Sequence, residues 1–305
     1  MKVIYLIPTY NDEDSLIKLI KEINIINADY ENNFLIINDG SEKKYEKLKD
    51  LNNVNELYVK LNQGNQICIG IGLSYLLEND LKFDFLIIMD GDGEDDPKYI
   101  KNLINTAKKN DNNDIIFASR GTRQEGYLYK LFYFWYKIFF RILTGQKIHF
   151  GNYSCIPYRL LNKFEYIKEI YTHYSASIIK SKISYKSIIC NKGHRYFHTS
   201  KLNFYGFVKH ALKSFSVFSD VVLMRMLFFC FIGFILSTIG IVLLIILKFF
   251  YSEVLLGWTS NMILGFSIID IIFFLSLVLT LINLIKNKET NYNFKLKNFY
   301  KEFID

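Results

Sequence analysis

Cysteine is scarce in this chain and never paired. Cys68, Cys155, Cys190 and Cys230 are the whole set, and no two share the close spacing of a disulfide framework or a zinc knuckle. Free thiols in a reducing compartment are the simplest expectation. Internal repeats and long low-complexity tracts are missing, which excludes a repeat array. A basic stripe is missing too. The net charge of +7 is modest and attached to no nucleic-acid motif, so nucleic acid is not an expected partner. The excess suits an anionic membrane surface or phosphorylated substrates. No secretory leader is expected, because Met1-Lys2 runs directly into the apolar segment Val3-Ile4-Tyr5-Leu6-Ile7.

What the chain does have divides it into unlike parts. Residues 1 to about 125 alternate short apolar runs with helical patterns, the rhythm of an α/β domain with a mostly parallel sheet. Strands are expected at Val3–Pro8, Phe34–Asn38, Glu56–Leu61, Phe83–Met89 and Asp114–Ala118, with helices between them and Ser41 as the cap of one. Gly126–Leu143 crowds aromatic residues with Lys130, Lys137 and Arg141, as an interfacial helix would. Two later runs, Met226–Leu247 without a charge and Met262–Ile285 with only Asp270, each exceed the ~20 residues a bilayer core requires. The expected division is a core over 1–125, a membrane-interface region over 126–222, two spans over 223–287 and a tail over 288–305.

Lys209, Lys213 and Arg225 precede the first span, and Lys286, Lys288, Lys295 and Lys297 follow the second. The positive-inside rule then places both flanks in the cytoplasm of a cell whose inner (plasma) membrane is crossed twice. Asp270 stands near the middle of its span, where a carboxylate is costly and seeks a partner such as Ser237, Thr238 or another subunit.

The stretch Met89-Asp90-Gly91-Asp92-Gly93-Glu94-Asp95-Asp96-Pro97 carries the most chemistry. It closes an apolar strand with a carboxylate cluster. In extended backbone, Asp90, Asp92 and Glu94 point to one side. Three oxygen donors suit a hard cation, Mg2+ or Mn2+, which in turn grips phosphate. Asp95 or Asp96 can cap the next helix, with Pro97 at its first position. Asp12, Asp39, Asp90 and Asp92 all fall at the carboxyl ends of expected strands, where such sheets bind ligands.

These motifs, taken in order, resemble family 2 glycosyltransferases of the GT-A fold, especially the membrane-anchored polyprenyl-phosphate enzymes related to dolichol-phosphate mannose synthase. The matching segments are Ile7-Pro8-Thr9-Tyr10-Asn11-Asp12, Ile37-Asn38-Asp39-Gly40-Ser41, Asn62-Gln63-Gly64-Asn65 and Met89 to Asp95, extended by Ser119-Arg120 and Arg195 to Lys201. The resemblance implies that Pro8, Tyr10, Asp12 and Asp39 hold the nucleoside of a nucleotide sugar. It implies that Asp90 and Asp92 bind the sugar nucleotide through the metal and that Glu94 completes the metal site. Arg120, Arg123, Arg195 and Lys201 become the contacts for acceptor or donor phosphate. Asp92 and Arg120 would be catalytic, with Asp95 as general base if the acceptor is a hydroxyl.

The implied reaction moves a hexose, with inversion, from a nucleotide sugar to a polyprenyl (undecaprenyl) phosphate. Extension of a lipid-linked saccharide, or a non-catalytic membrane scaffold, are the alternatives. Two-span members often assemble into homo-oligomers, which leaves self-association open. The chain departs from the family pattern at Asp12 (usually Glu), at Glu94 (Gln in the mannose synthase type), at His198 (usually Gly) and at Gly151-Asn152-Tyr153-Ser154 (commonly Gly-Asp-Phe-Arg).

Overall fold

A computed structural model describes residues 1–120, 127–197, 204–250, 257–289 and 295–304. Arg123, His198 and Lys201 lie outside them. The described elements run β1 (Lys2–Thr9), α1 (Glu13–Ile26), β2 (Glu31–Asn38), β3 (Val54–Tyr58), α2 (Asn65–Glu78), β4 (Phe85–Ile88), α3 (Ile100–Lys109) and β5 (Ile115–Arg120). They continue through α4 (Tyr127–Thr144), β6 (Phe150–Pro157), α5 (Tyr174–Ser181), β7 (Tyr185–Cys190), α6 (Phe204–Val217), α7 (Ser219–Phe250) and α8 (Trp258–Glu289). The chain forms two compact units: residues 1–138, 146–217 and 294–305 in one, residues 139–145 and 218–293 in the other.

The first unit holds a seven-stranded sheet in the order β3-β2-β1-β4-β6-β5-β7. All neighbours are parallel except β6, which runs antiparallel to both β4 and β5. The central strands are apolar almost throughout because both faces are covered, as parallel sheets require. Helix α1 buries Leu16, Leu19, Ile20 and Ile23, and α3 buries Ile100, Leu103, Ile104 and Ala107. Both sets follow the i, i+3, i+4, i+7 spacing of one helical face. Helix α2 lies so close to β1 that a Cβ on Gly72 would stand 2.1 Å from Leu6 Cδ1.

Two strands were not legible in the local pattern. β6 carries Asn152 and Ser154 and enters the sheet antiparallel, outside the βαβ rhythm. β7 is short and mostly exposed on an edge. The expected cap at Ser41 also needs correction. No helix starts there, and the Ser41 hydroxyl instead bonds the Tyr45 hydroxyl at 3.1 Å.

Helix α4 turns Leu131, Phe134, Trp135, Phe139 and Ile142 outward, an apolar face of the kind that lies in a lipid interface. Within the first unit, the Tyr136 hydroxyl meets Ser214 Oγ of α6 at 2.8 Å. In the second unit, α7 and α8 are long and apolar enough to cross a membrane. They pack with the Phe273 ring against Gly233 and the Phe266 ring against Gly240. Thr238 Oγ1 donates to Asp270 Oδ2 at 3.5 Å, and Ser237 Oγ to the Phe266 carbonyl at 3.2 Å. Of the two intrachain partners expected for Asp270, Thr238 is the one in reach. Residues 295–304, expected as a tail, belong to the first unit and bury Leu296 and Tyr300 there.

Candidate active site

The carboxyl ends of β1, β2 and β4 converge, and each loop there is tied down by a specific side chain. Pro8 pairs with Ile37 of β2 but lies beyond the pairing with β4, which stops at Leu6, so its missing N–H costs no ladder bond on that side. Tyr10 is partly exposed at the rim. The Asp12 carboxylate caps α1 by accepting from Ser15 N at 3.3 Å. The Tyr45 hydroxyl joins the loops after β1 and β2, meeting Thr9 Oγ1, the Asp12 amide and Ser41 Oγ, each at 3.1 Å. Tyr45 escaped the sequence reading because nothing in its local pattern marks a buried hydroxyl as a hub.

Asp39 is almost fully buried at the end of β2. Its two carboxylate oxygens accept from the backbone amides of Gln63 at 2.7 Å and Gly64 at 2.8 Å. Burial raises its pKa and those two amides oppose the rise. Asn62 Nδ2 bonds the Asp39 carbonyl at 3.3 Å. The φ of +67° at Gly40 and a Cβ position only 2.8 Å from the Asn62 amide leave room for no side chain there. Asp39 therefore shapes the Asn62–Asn65 loop whose motif the sequence displays.

After β4, Asp90 Oδ1 accepts from Asn65 Nδ2 at 2.7 Å, and the Asp90 amide donates to Asp95 Oδ2 at 3.0 Å. Asp95 is thus turned inward and buried, where it holds the acidic turn. Asp96 is the residue that caps, accepting from Lys98 N at 3.0 Å with Pro97 following, as the pattern leads one to expect.

Asp92 Oδ1 accepts from the Glu94 amide at 2.9 Å, while its Oδ2 pairs with Arg195 at 2.8 Å. Burial, followed by the neighbouring Asp90 charge, pushes the Asp92 carboxyl up to about 6. Glu94 behaves differently. Burial alone would raise its pKa, but the Lys192 and Arg195 cations outweigh it and hold the carboxyl below its usual range. Its Oε1 lies 2.9 Å from Lys192 Nζ and 3.1 Å from Arg195 Nε.

Among the described residues, no three acidic, histidine or cysteine side chains stand ready around one point as a metal site. Asp90 and Asp92 are close and mutually repelling, and both are hard oxygen donors, so this pair fits a divalent cation. Glu94 stands next to them in the turn, with its carboxylate paired to Lys192 and Arg195. Arg195 comes from the segment after β7, which folds over the acidic turn through Gly193 N to the Glu94 carbonyl at 2.8 Å and Tyr196 N to the Asp92 carbonyl at 3.0 Å. Arg120 is the last residue of β5, paired in register with Cys190.

A polar network continues from α2 toward α6. Gln66 Nε2 donates to Asn152 Oδ1 at 3.2 Å, and Tyr174 N donates to Gln66 Oε1 at 2.6 Å. His173 caps α5 through Nδ1 and its ring lies 4.4 Å from that of His210 on α6. Burial, followed by the Lys213 charge, lowers the pKa of His210. Gln66 and His173 are functional-site neighbours that no spacing signals.

The mostly parallel seven-stranded sheet with its helices has the GT-A glycosyltransferase fold. The sequence pattern of Glycosyl transferase family 2 matches residues 5–171, and the chain belongs to that family. It is 27% identical over 165 residues to an undecaprenyl-phosphate 4-deoxy-4-formamido-L-arabinose transferase from Proteus mirabilis (strain HI4320), a match covering 51% of this chain and 47% of that protein. The chain thus matches about half the length of that relative.

Among solved structures it is similar to glucosyl-3-phosphoglycerate synthase from Mycobacterium tuberculosis, crystallised with Mn2+, UDP-glucose and phosphoglyceric acid. The TM-score is 0.53 at 11% identity, over 72% of this chain and 79% of that one. The same enzyme with Mn2+, UDP and phosphoglyceric acid gives 0.53 at 11% identity, over 73% and 78%.

Proposed function

We propose that this protein transfers a hexose, with inversion, from a nucleotide sugar to a polyprenyl phosphate of the undecaprenyl type at the cytoplasmic face of the membrane. The observation that carries the reading is the Asp90–Asp92 pair at the end of β4, closed over by Arg195, in a chain that also bears an apolar helical hairpin. The undecaprenyl-phosphate transferase of Proteus mirabilis supports the acceptor class. An acceptor phosphate is already anionic and needs no protein base, whereas a hydroxyl acceptor does.

In this mechanism Asp90 and Asp92 would hold Mg2+ or Mn2+, and the charge of that ion would neutralise the diphosphate leaving group. Mn2+ in the structurally similar synthase supports a divalent ion. Pro8, Tyr10, Asp12 and the loop shaped by Asp39 receive the nucleoside. Arg195 exchanges its carboxylate partners for phosphate oxygens once the donor enters. Arg120, Arg123 and Lys201 are further candidates for phosphate, which guanidinium groups grip in bidentate fashion. The acceptor oxygen attacks the anomeric carbon as the bond to the diphosphate breaks, and a nucleoside diphosphate departs. Held in line, the two reactants gain the advantage of proximity.

A donor screen with the purified full chain, Mg2+ or Mn2+ and undecaprenyl phosphate tests this reading, with lipid-linked sugar detected by mass spectrometry. The expected product is a glycosylated prenyl phosphate that disappears in Asp92→Ala. Donor turnover with a lipid-linked saccharide but not with the prenyl phosphate would overturn the acceptor assignment.

A further inference from the structure

The segment 295–304 follows the apolar hairpin in sequence, lies outside the family match, and folds back onto the first unit against α2 and the end of β3. It is fastened at several points. Ser74 Oγ of α2 donates to the Leu296 carbonyl at 2.6 Å and accepts from Tyr300 N at 3.1 Å. The Phe299 ring stacks on Tyr171 at 5.1 Å, and the Tyr300 ring meets Tyr75 edge-on at 5.4 Å. Lys301 Nζ reaches Glu78 at 3.0 Å. At its far end the segment extends the sheet past β3: Ile304 bridges Val59 antiparallel, and Lys60 N donates to the Phe303 carbonyl at 3.0 Å.

That last contact is the informative one. Lys60 is followed directly by Leu61 and Asn62, the backbone on which Gly40 rests, and then by Gln63 and Gly64, whose amides grip the Asp39 carboxylate. β3 is the edge of the sheet, so without the strap the stem of this loop would be held on one side only.

We propose that residues 295–304 form a positioning strap that sets the stem of the Asn62–Asn65 loop and thereby the affinity for the nucleotide of the donor. The inference rests on the nucleotide-sugar reading above. None of the strap residues touches the reacting atoms. The strap acts through the Asp39 loop, so it governs donor binding and leaves the chemical step alone. It also makes an element encoded after the membrane hairpin a part of the donor site.

The test uses the full chain in detergent micelles and a chain ending at residue 294, which retains both apolar helices. Nucleoside diphosphate binding is measured by calorimetry, and donor KM and kcat by turnover. The truncated chain is expected to bind about tenfold more weakly, with kcat at saturating donor within about twofold, and a synthetic peptide of residues 295–305 should restore binding when added in trans. A milder variant guards against misfolding. Lys301→Glu faces Glu78 with a like charge and should raise donor KM two- to threefold at constant kcat, an effect reversed in the swapped pair Glu78→Lys/Lys301→Glu; such a modest size is what an exposed ion pair supports.

Unchanged nucleotide affinity in both variants, or a fall in kcat without a change in KM, overturns the proposal. A truncated chain that no longer unfolds cooperatively and is not rescued by the peptide, together with an inert Lys301→Glu, makes the strap a fold element and overturns it as well. Failure of the intact chain to bind any nucleoside diphosphate refutes the functional reading and the strap role with it.

Discussion

Arg195 and Asp92 meet at 2.8 Å directly over the acidic turn, with the same guanidinium reaching Glu94. The arginine thus supplies the positive charge beside Asp92. Removing it has two opposed consequences. Arg195→Ala should lower kcat/KM for the donor by about 10- to 100-fold, the size of one lost charge-assisted hydrogen bond of ~1.5–3 kcal/mol. The same variant should bind Mn2+ more tightly than the parent, because the competing cation is gone. Steady-state kinetics and a Mn2+ titration check the two halves separately.

The carboxylates of the turn are not equivalent. Asp92→Ala should cut turnover by about 10³-fold, ~4 kcal/mol of lost stabilisation. Glu94→Gln should cost about tenfold, since Glu94 is neutralised by Lys192 and Arg195 and serves to place the latter. Equal losses in the two variants, measured at saturating divalent ion, would place Glu94 in the metal shell.

His173 and His210 make stability depend on pH. Burial, then the charge of His210, pushes His173 down to about 3, and burial also lowers His210. The folded chain keeps these rings neutral, while the unfolded chain takes up protons below the ordinary histidine value of 6.5. Fewer protons on the folded state mean that stability is full above about pH 6.5 and declines as pH falls toward 3. Thermal denaturation of the first unit should shift to lower temperature between pH 7 and pH 5. His173→Asn, which can still cap α5, should flatten that slope by up to one proton, ~1.4 kcal/mol per pH unit.

Gly72 and Leu6 form a coupled pair. Gly72→Ala forces a methyl group onto Leu6 Cδ1 and should destabilise the chain by ~1–3 kcal/mol. Gly72→Ala combined with Leu6→Ala should cost less than the sum of the two single changes, because each removes the other's clash or cavity. Chemical denaturation of the four chains closes the cycle.

Asp270 is half-satisfied: Oδ2 receives Thr238, while Oδ1 is buried with no partner among the described residues. Replacing such a group with an apolar one removes a desolvation cost. Asp270→Leu should leave nucleotide binding unchanged and the helical hairpin at least as stable. A loss of nucleotide binding would refute the local role of this carboxylate.

Much of this was readable from the residues. The apolar runs at Val3–Ile7 and Phe85–Met89, the helical spacing of Leu16, Leu19, Ile20 and Ile23, and the two long uncharged stretches each encode their structure locally, through periodicity and length. The acidic turn was legible for the same reason, since charges placed at the end of a buried strand have no packing explanation.

Tertiary structure decided the rest, wherever the partner lies far away in sequence. It placed β6 antiparallel between β4 and β5, paired Glu94 with Lys192 and Arg195, turned Asp95 inward, brought the His210 ring against that of His173, and returned residues 295–304 to the edge of β3. Hydrophobic pattern is a property of neighbouring residues and survives in the sequence alone. A hydrogen bond or ion pair is a property of two surfaces brought together, and it exists only once the chain has folded.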